Sequence, residues 1–153
     1  MELMELSLVR SLMNKDFYQN NRGARCPDKL FSADVRKIKK SVDVAMDRYE
    51  RTVTPEEVQA LFISSNPSIT PAQRESFNGL FNTINRTEPL GSDVAGEVLS
   101  RLFQQVVGAE IAELGFDYVN GDRASLEPLQ QLLEKYGEDF TPKLNSEWDD
   151  ISI

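Results

Sequence analysis

The chain has no histidine and only one cysteine among its 153 residues. Histidine is the usual general base and a frequent metal ligand at neutral pH, so its absence removes the commonest catalytic and metal-binding arrangements. The lone Cys26 cannot form a disulfide within the chain, and no base is available to activate its thiol as a nucleophile. No Gly-Lys-Ser or Gly-Lys-Thr sequence is present, which excludes a Walker phosphate loop. These absences argue against an enzyme, and we expect no cofactor.

Long hydrophobic runs are missing as well. No window approaches the roughly 20 apolar residues that a membrane-spanning helix needs. The first residues include Glu2 and Glu5 where a secretory signal carries Lys or Arg, and no small-residue cleavage site follows them. Together with the single cysteine, this composition predicts a cytoplasmic chain without membrane contact.

Positive charge is scarce and unevenly distributed. The chain has 17 Lys and Arg against 25 Asp and Glu, a net charge of −8. The basic residues concentrate near the N-terminus, and four of them are candidates for contact with nucleic acid or an acidic partner: Arg36, Lys37, Lys39 and Lys40. The alternative, which we favour, is the solvated face of a helix, because an acidic chain is a poor stand-alone DNA binder.

Helical periodicity is what the sequence has in abundance. Apolar residues spaced by three and four predict an amphipathic helix from about Glu2 to Asn14. A second helix is predicted after Ser32 as its N-cap, with Val35, Ile38, Val42, Met46 and Tyr49 as its apolar stripe. No strict β alternation lasts five residues outside 148–153. The sequence therefore predicts an all-α fold.

Two further helix starts share one capping device. Thr54-Pro55-Glu56-Glu57 and Thr70-Pro71-Ala72-Gln73 each place a threonine at the N-cap and a proline at the first helical position. Glu or Gln at the third helical position completes a capping box. Each box coincides with the onset of helical periodicity, so both positions are predicted to begin a helix.

The next two helices are predicted to form an antiparallel hairpin. The first runs from about Asp93 to Leu114 with Ser92 as its cap, and the second follows Ser125 and ends at Gly137. The turn signal Asn120-Gly121-Asp122 lies between them. The predicted organisation is a helical globule over about 1–90, a hairpin over about 92–137 and an extended, linker-like tail over 138–153.

The first hairpin helix carries apolar residues on more than one face. One stripe suffices for packing on one neighbour, so a wider one predicts contacts both within the domain and with another subunit. A central helix of a monomer would give the same pattern. The candidates for self-association are Val98, Leu102, Val106, Leu129 and Leu133.

One acidic pair has the spacing of metal ligands. Glu110 and Glu113 lie three residues apart on a predicted helix, so their carboxylates can share a face. A dinuclear site needs a second such pair or histidines, and the chain offers neither. We therefore expect no metal site.

The order of these elements resembles that of a known protein family. The short motifs that carry the resemblance are Lys15-Asp16-Phe17-Tyr18, Leu30-Phe31, Glu56-Glu57-Val58-Gln59-Ala60-Leu61-Phe62, Val107-Gly108-Ala109-Glu110-Ile111-Ala112, Tyr136-Gly137-Glu138-Asp139-Phe140-Thr141-Pro142 and Trp148-Asp149-Asp150-Ile151. In layout, most of the chain resembles the N-terminal domain of a bacteriophage replicative DNA helicase of the DnaB-like family.

The resemblance implies a role in DNA replication without catalysis by this segment. Domains of that family self-associate, as dimers or as the collar of a hexameric ring, and contact primase or a helicase loader. Their self-association surface corresponds to the hairpin, about Ser92 to Tyr136. ATP-driven unwinding belongs to a RecA-like motor, so this chain is expected to be a fragment or a separately produced domain in the host-cell cytoplasm.

Two other functions fit the same sequence. A stand-alone helical adaptor that binds a replication or host protein would share the architecture. A weak nucleic-acid-binding module would use the basic residues, and its binding would weaken steeply with salt.

Overall fold

A computed structural model describes residues 2–22 and 25–140 of the chain. Over these residues the chain forms seven α-helices and no strand, which confirms the predicted all-α fold. The helices are α1 (Glu2–Leu12), α2 (Lys15–Asn21), α3 (Ala33–Tyr49), α4 (Pro55–Ser65), α5 (Pro71–Arg86), α6 (Ser92–Val119) and α7 (Leu126–Phe140), with 3₁₀ turns at Asp28–Leu30 and Arg123–Ser125. Most of the predicted tail, from residue 141 onward, lies outside the described residues.

The chain divides into two compact units. The N-terminal unit comprises Met1–Arg22 and Asp28–Leu99, and the hairpin unit comprises Gly23–Pro27 and Ser100–Ile153. The division lies within α6, so this helix contributes residues to both units.

Four helices of the N-terminal unit form a closed cycle of contacts. Helix α1 packs against α3 and α5, and α4 packs against the same two helices. The α3 stripe of Val35, Ile38, Val42 and Met46 is buried, as its spacing of three and four residues predicts. Tyr49, the last residue of α3, is exposed instead. The core of this unit therefore lies between the four helices.

Both predicted capping boxes are present. Thr54 Oγ1 accepts from the Glu57 backbone N at 3.2 Å, and the Glu57 carboxylate accepts from the Thr54 backbone N at 2.9 Å. The Thr70 and Gln73 pair repeats the exchange at 3.2 and 3.1 Å. Each box satisfies two backbone donors that the helix itself cannot satisfy, and an N-cap side chain of this kind contributes about 1 kcal/mol.

The start of α3 is capped differently from the prediction. Ser32 occupies the N-cap position, but its hydroxyl makes no capping hydrogen bond. The buried carboxylate of Glu5 accepts from the Ser32 backbone N at 2.6 Å and from Ser32 Oγ at 3.2 Å. A negative charge from α1 therefore stands at the positive end of α3, which is a favourable electrostatic position.

Helix α6 is longer than predicted at both ends. It begins at Ser92 itself, with the Gly91 carbonyl accepting from Ala95, so Ser92 is not its cap. At the other end it runs to Val119 instead of Leu114. A glycine inside a helix costs only about 1 kcal/mol relative to alanine, which explains why Gly115 does not end it.

Helix α7 also differs from the prediction at both ends. Ser125 closes the preceding 3₁₀ turn and donates its hydroxyl to the Asp122 carbonyl, so it does not cap α7. Helix α7 continues through Gly137 to Phe140. The predicted helix end at Gly137 is therefore three residues too early.

The two helices of the hairpin fold back on each other. The rings of Phe103 and Tyr136 pack edge to face, with centroids 5.5 Å apart. These residues lie at similar distances in sequence from the turn at 120–122, so α6 and α7 run antiparallel. Gly121 in that turn has a φ of 101°, a left-handed conformation that favours glycine.

Candidate interaction surfaces

Large apolar side chains lie in solvent at the C-terminal end of α6. Phe116 is 70% exposed and Val119 is 82% exposed. Ala109 and Ala112 are exposed as well, and together these four residues follow helical spacing along one face of α6. Single exposed apolar residues are ordinary, but a contiguous group is typical of an interaction surface.

Helix α7 presents a second exposed apolar row. Leu126, Leu129 and Leu133 are spaced by three and four residues, which is the spacing of a coiled-coil seam. Leu133 is 49% exposed, Leu126 is exposed and Leu129 is half-buried. Tyr136 continues the same spacing, is buried and packs on Phe103 of α6, so the row runs from exposed residues into the contact between the two helices. We call the exposed or half-buried apolar residues of these two rows, Ala109, Ala112, Phe116, Val119, Leu126, Leu129 and Leu133, the hairpin apolar face.

The residues predicted for self-association differ in their exposure to solvent. Leu102 is only 3% exposed, so the chain itself covers it and it is not available to a second copy in this conformation. Val98, Val106 and Leu129 are half-buried, and Leu133 is exposed. Their role in self-association stays a prediction.

Phe116 and Val119 were missed because the helix was predicted to end at Leu114. The signal that identifies them is present in the sequence. Ala112, Phe116 and Val119 continue the helical spacing of four and three residues past Gly115. A periodicity that continues across a glycine is thus better evidence of helix than the glycine is of a helix end.

Two members of the predicted basic cluster are engaged inside the N-terminal unit. Arg36 donates from Nε to the Asp28 carbonyl at 3.1 Å and from a terminal nitrogen to the Phe31 carbonyl at 3.0 Å. Lys39 is buried, and its Nζ lies 2.9 Å from Asp28 Oδ1 and 3.0 Å from Asp43 Oδ2. These contacts give Arg36 and Lys39 a structural role that the sequence prediction did not include.

The carboxylate of Asp43 also binds α2. The Tyr18 hydroxyl donates to Asp43 Oδ1 at 2.8 Å. Burial, and then this hydrogen bond to a negative group, raise the pKa of Tyr18 well above its usual value. The network of Lys39, Asp43 and Tyr18 therefore ties α2 to α3, with each charge paired.

Lys37 and Lys40 remain on the surface of α3. They line a groove of about 200 Å³ between α3 and α4, whose other lining residues are Ser41, Val44, Leu61, Phe62, Ser65 and Asn66. We call it the α3–α4 groove. Lys37 Nζ lies 5.9 Å from the centroid of the Phe77 ring, so this ammonium rests over an aromatic face. The exposed part of the basic cluster is thus two lysines beside an apolar floor.

Over 2–22 and 25–140, no group of three or more His, Cys, Asp or Glu residues is placed to hold a metal ion, and Glu110 and Glu113 belong to no such group. Nor does any helix of these residues combine the length and the hydropathy required to span a bilayer.

Comparisons with known proteins leave the family open. No protein-family model matches the chain, and no curated protein or solved structure is significantly similar to it. The DnaB-like resemblance therefore rests on the order of the elements and on short motifs.

Proposed function

We propose that this chain is a non-catalytic self-association and partner-docking domain, of the kind that forms the collar of a DnaB-like phage replicative helicase. Its role would be to hold copies together and to dock a primase or a helicase loader. ATP-driven unwinding would belong to a motor whose phosphate loop these 153 residues do not contain. The observation that carries the self-association is the hairpin apolar face, and the order of the elements supports the helicase context.

The size of the face indicates how strong the association is. Fully burying a Val, Leu or Phe side chain contributes about 1.5–3 kcal/mol. Association costs at least about 4 kcal/mol in lost translational and rotational freedom. Burial of Phe116, Val119, Leu126 and Leu133 therefore supports a weak, concentration-dependent complex of the isolated chain, and a closed ring would add strength by joining several contacts at once.

Light scattering over a concentration series tests this proposal. The wild-type mass is expected to rise above the monomer value of 17.3 kDa as the concentration increases. The double variant Phe116→Ser/Val119→Ser should remain at the monomer mass, because it removes the two most exposed side chains of the face. The matched control is Tyr49→Ser/Val94→Ser, which removes two exposed apolar residues of the N-terminal unit and should associate like the wild type.

Two results would contradict the proposal. One is a wild-type chain that stays monomeric at every concentration. The other is a Phe116→Ser/Val119→Ser variant that associates as strongly as the control variant, because the association would then use a different surface.

A further inference from the structure

Lys37 and Lys40 are the two exposed members of the basic cluster, and no described carboxylate neutralises them. Both are exposed, and among the described residues neither forms an ion pair. The residues that line the α3–α4 groove include no Asp or Glu, although the whole chain carries a net charge of −8. The groove is thus a local positive site on an acidic protein, and it attracts negative groups.

The floor of the groove is apolar. Val44 of α3 is exposed, Leu61 of α4 is half-buried and Phe62 is buried beneath them. Lys37, Ser41 and Val44 are spaced by four and three residues, so they share one face of α3 over about two turns, or roughly 10 Å. A volume of about 200 Å³ is smaller than the roughly 300–1,000 Å³ of typical small-molecule pockets. The groove is therefore large enough for a few side chains of a partner protein but small for a free ligand.

We propose that the α3–α4 groove docks an acidic amphipathic helix of a partner protein. Aliphatic side chains of that helix pack on Val44 and Leu61, and its carboxylates lie opposite Lys37 and Lys40. A helix that lays its apolar face into a groove is a common mode of peptide recognition, and carboxylates three or four residues apart match the spacing of the two lysines. This site lies in the N-terminal unit and does not depend on the hairpin apolar face.

The same residues favour a peptide over nucleic acid. Binding to a phosphate backbone draws its strength from several cations at once, and each neutralised phosphate adds about 0.9 to the salt slope. With Arg36 and Lys39 engaged internally, only Lys37 and Lys40 remain at this site. An apolar floor contributes nothing to phosphate binding, whereas it suits the apolar face of a helix.

Fluorescence anisotropy with the full chain provides the test. The probe is a labelled, end-capped peptide of about 16 residues, long enough to form a helix, with leucines at three- and four-residue spacing, glutamates beside them and alanines elsewhere. One control probe replaces every glutamate with lysine, and another is a labelled oligothymidylate. The glutamate peptide is expected to bind, the lysine peptide should not, and the oligothymidylate should bind more weakly at physiological salt.

Matched variants locate the binding site. Lys40→Glu is expected to weaken binding of the glutamate peptide at least about tenfold, because it places a like charge opposite the peptide. Arg74→Glu makes the same charge change on the exposed face of α5, outside the groove, and should leave the affinity within about twofold. Val44→Gln should weaken binding of the glutamate peptide because it removes an apolar side chain from the floor of the groove. Val94→Gln changes a similarly exposed valine outside the groove and should leave binding unchanged.

Several outcomes would overturn the proposal. The wild type would fail to bind the glutamate peptide, would bind both peptides equally, or would bind the oligothymidylate more tightly. Wild-type affinity of Lys40→Glu for the glutamate peptide would also overturn it. The variant Phe116→Ser/Val119→Ser should retain full affinity for the glutamate peptide. If that double variant lost affinity for the glutamate peptide, the peptide would bind the hairpin, and the proposal would be overturned. This conclusion would hold whether or not the chain self-associates.

Discussion

Among the described residues, the N-terminal unit buries 22 hydrophobic residues and exposes five large ones, whereas the hairpin unit buries five and also exposes five. The contact cycle of α1, α3, α4 and α5 gives every helix two neighbours, so most apolar residues of that unit find cover within it. A pair of helices has one mutual interface, and an apolar residue on any other face needs another partner. The same periodicity therefore marks a core in one unit and a candidate binding surface in the other.

The two units also differ in their buried polar groups. In the N-terminal unit, Lys39 pairs with Asp28 and Asp43, and Glu5 binds Ser32, so charged groups link α1, α2 and α3. Such groups fix the positions of the helices, since breaking a buried pair leaves a charge without its partner. We therefore expect the stability of the N-terminal unit to be sensitive to substitution of these charged groups.

The largest expected contrast is between two leucines of the hairpin unit. Leu102→Asp places a carboxylate at a buried position and should lower the free energy of unfolding by more than about 4 kcal/mol. Leu133→Asp places the same group at an exposed position, so it should keep the helical content while weakening self-association. Circular dichroism and light scattering on both variants measure the two effects. A folded Leu102→Asp variant that loses only its self-association would instead place Leu102 in the interface.

Substitution of one phenylalanine in each unit compares the stability lost at a buried ring with that lost at an exposed ring. Phe81 is 1% exposed in the N-terminal unit, so Phe81→Ala should cost about 3–5 kcal/mol in the free energy of unfolding. Phe116→Ala should change it by less than about 0.5 kcal/mol in dilute solution, because the ring is already in water. Urea denaturation at low protein concentration gives both values. A similar loss of unfolding free energy in both variants would contradict the assignment of Phe81 to the core and of Phe116 to the surface.

A smaller effect is expected from neighbouring lysines of α3. Lys39→Ala removes the one ammonium that pairs with both Asp28 and Asp43 and should cost about 1–3 kcal/mol in the free energy of unfolding. Lys40→Ala, at an exposed position, should change the free energy of unfolding by less than about 0.5 kcal/mol. The same denaturation experiment checks both. If Lys40→Ala were the more costly change, the division of the basic cluster into structural and exposed members would be wrong.

The smallest effect concerns the pH dependence of stability. The side-chain hydrogen bond from Arg51, followed by the backbone hydrogen bond from Thr54, lowers the pKa of Glu57 to about 2. Because this pKa is lowered in the folded state, the stabilisation from the ionised Glu57 carboxylate is present above the ordinary carboxyl pKa of 4.5 and is lost as the pH falls toward 2. Glu57→Gln should therefore flatten the acid limb of the stability profile, and only slightly, because the pair is exposed and screened by salt. Glu56→Gln in the same turn is the control, and an equal flattening there would exclude this cause.

The sequence predicts the local features of this fold well. The boxes at Thr54 and Thr70 depend on residues three positions apart, and the stripe of α3 depends on one helical period, so both could be identified without tertiary information. The cap of α3 could not, because Glu5 lies 27 residues before Ser32 and only the packing of α1 on α3 brings them together.

The candidate surfaces could be predicted only in part. Leu133 was identified because α7 is regular, whereas Phe116 and Val119 were missed because the preceding helix was predicted to end at about Leu114. The basic cluster was recognised as a group, but charge alone does not reveal that Lys39 is buried and Lys40 exposed. Burial depends on how helices distant in sequence pack together, whereas the pairing of Lys39 with Asp28 and Asp43 involves residues only 11 and four positions away.

Hydrogen–deuterium exchange at low and high protein concentration shows which helices are covered when copies of the chain associate. If the hairpin apolar face joins copies while the N-terminal unit is complete in itself, backbone amides in 109–119 and 126–133 will gain protection as the concentration rises. Amides of α1, α3, α4 and α5 will then show the same protection at both concentrations. Protection that rises in those four helices and not in the hairpin, or that rises nowhere, would contradict the account.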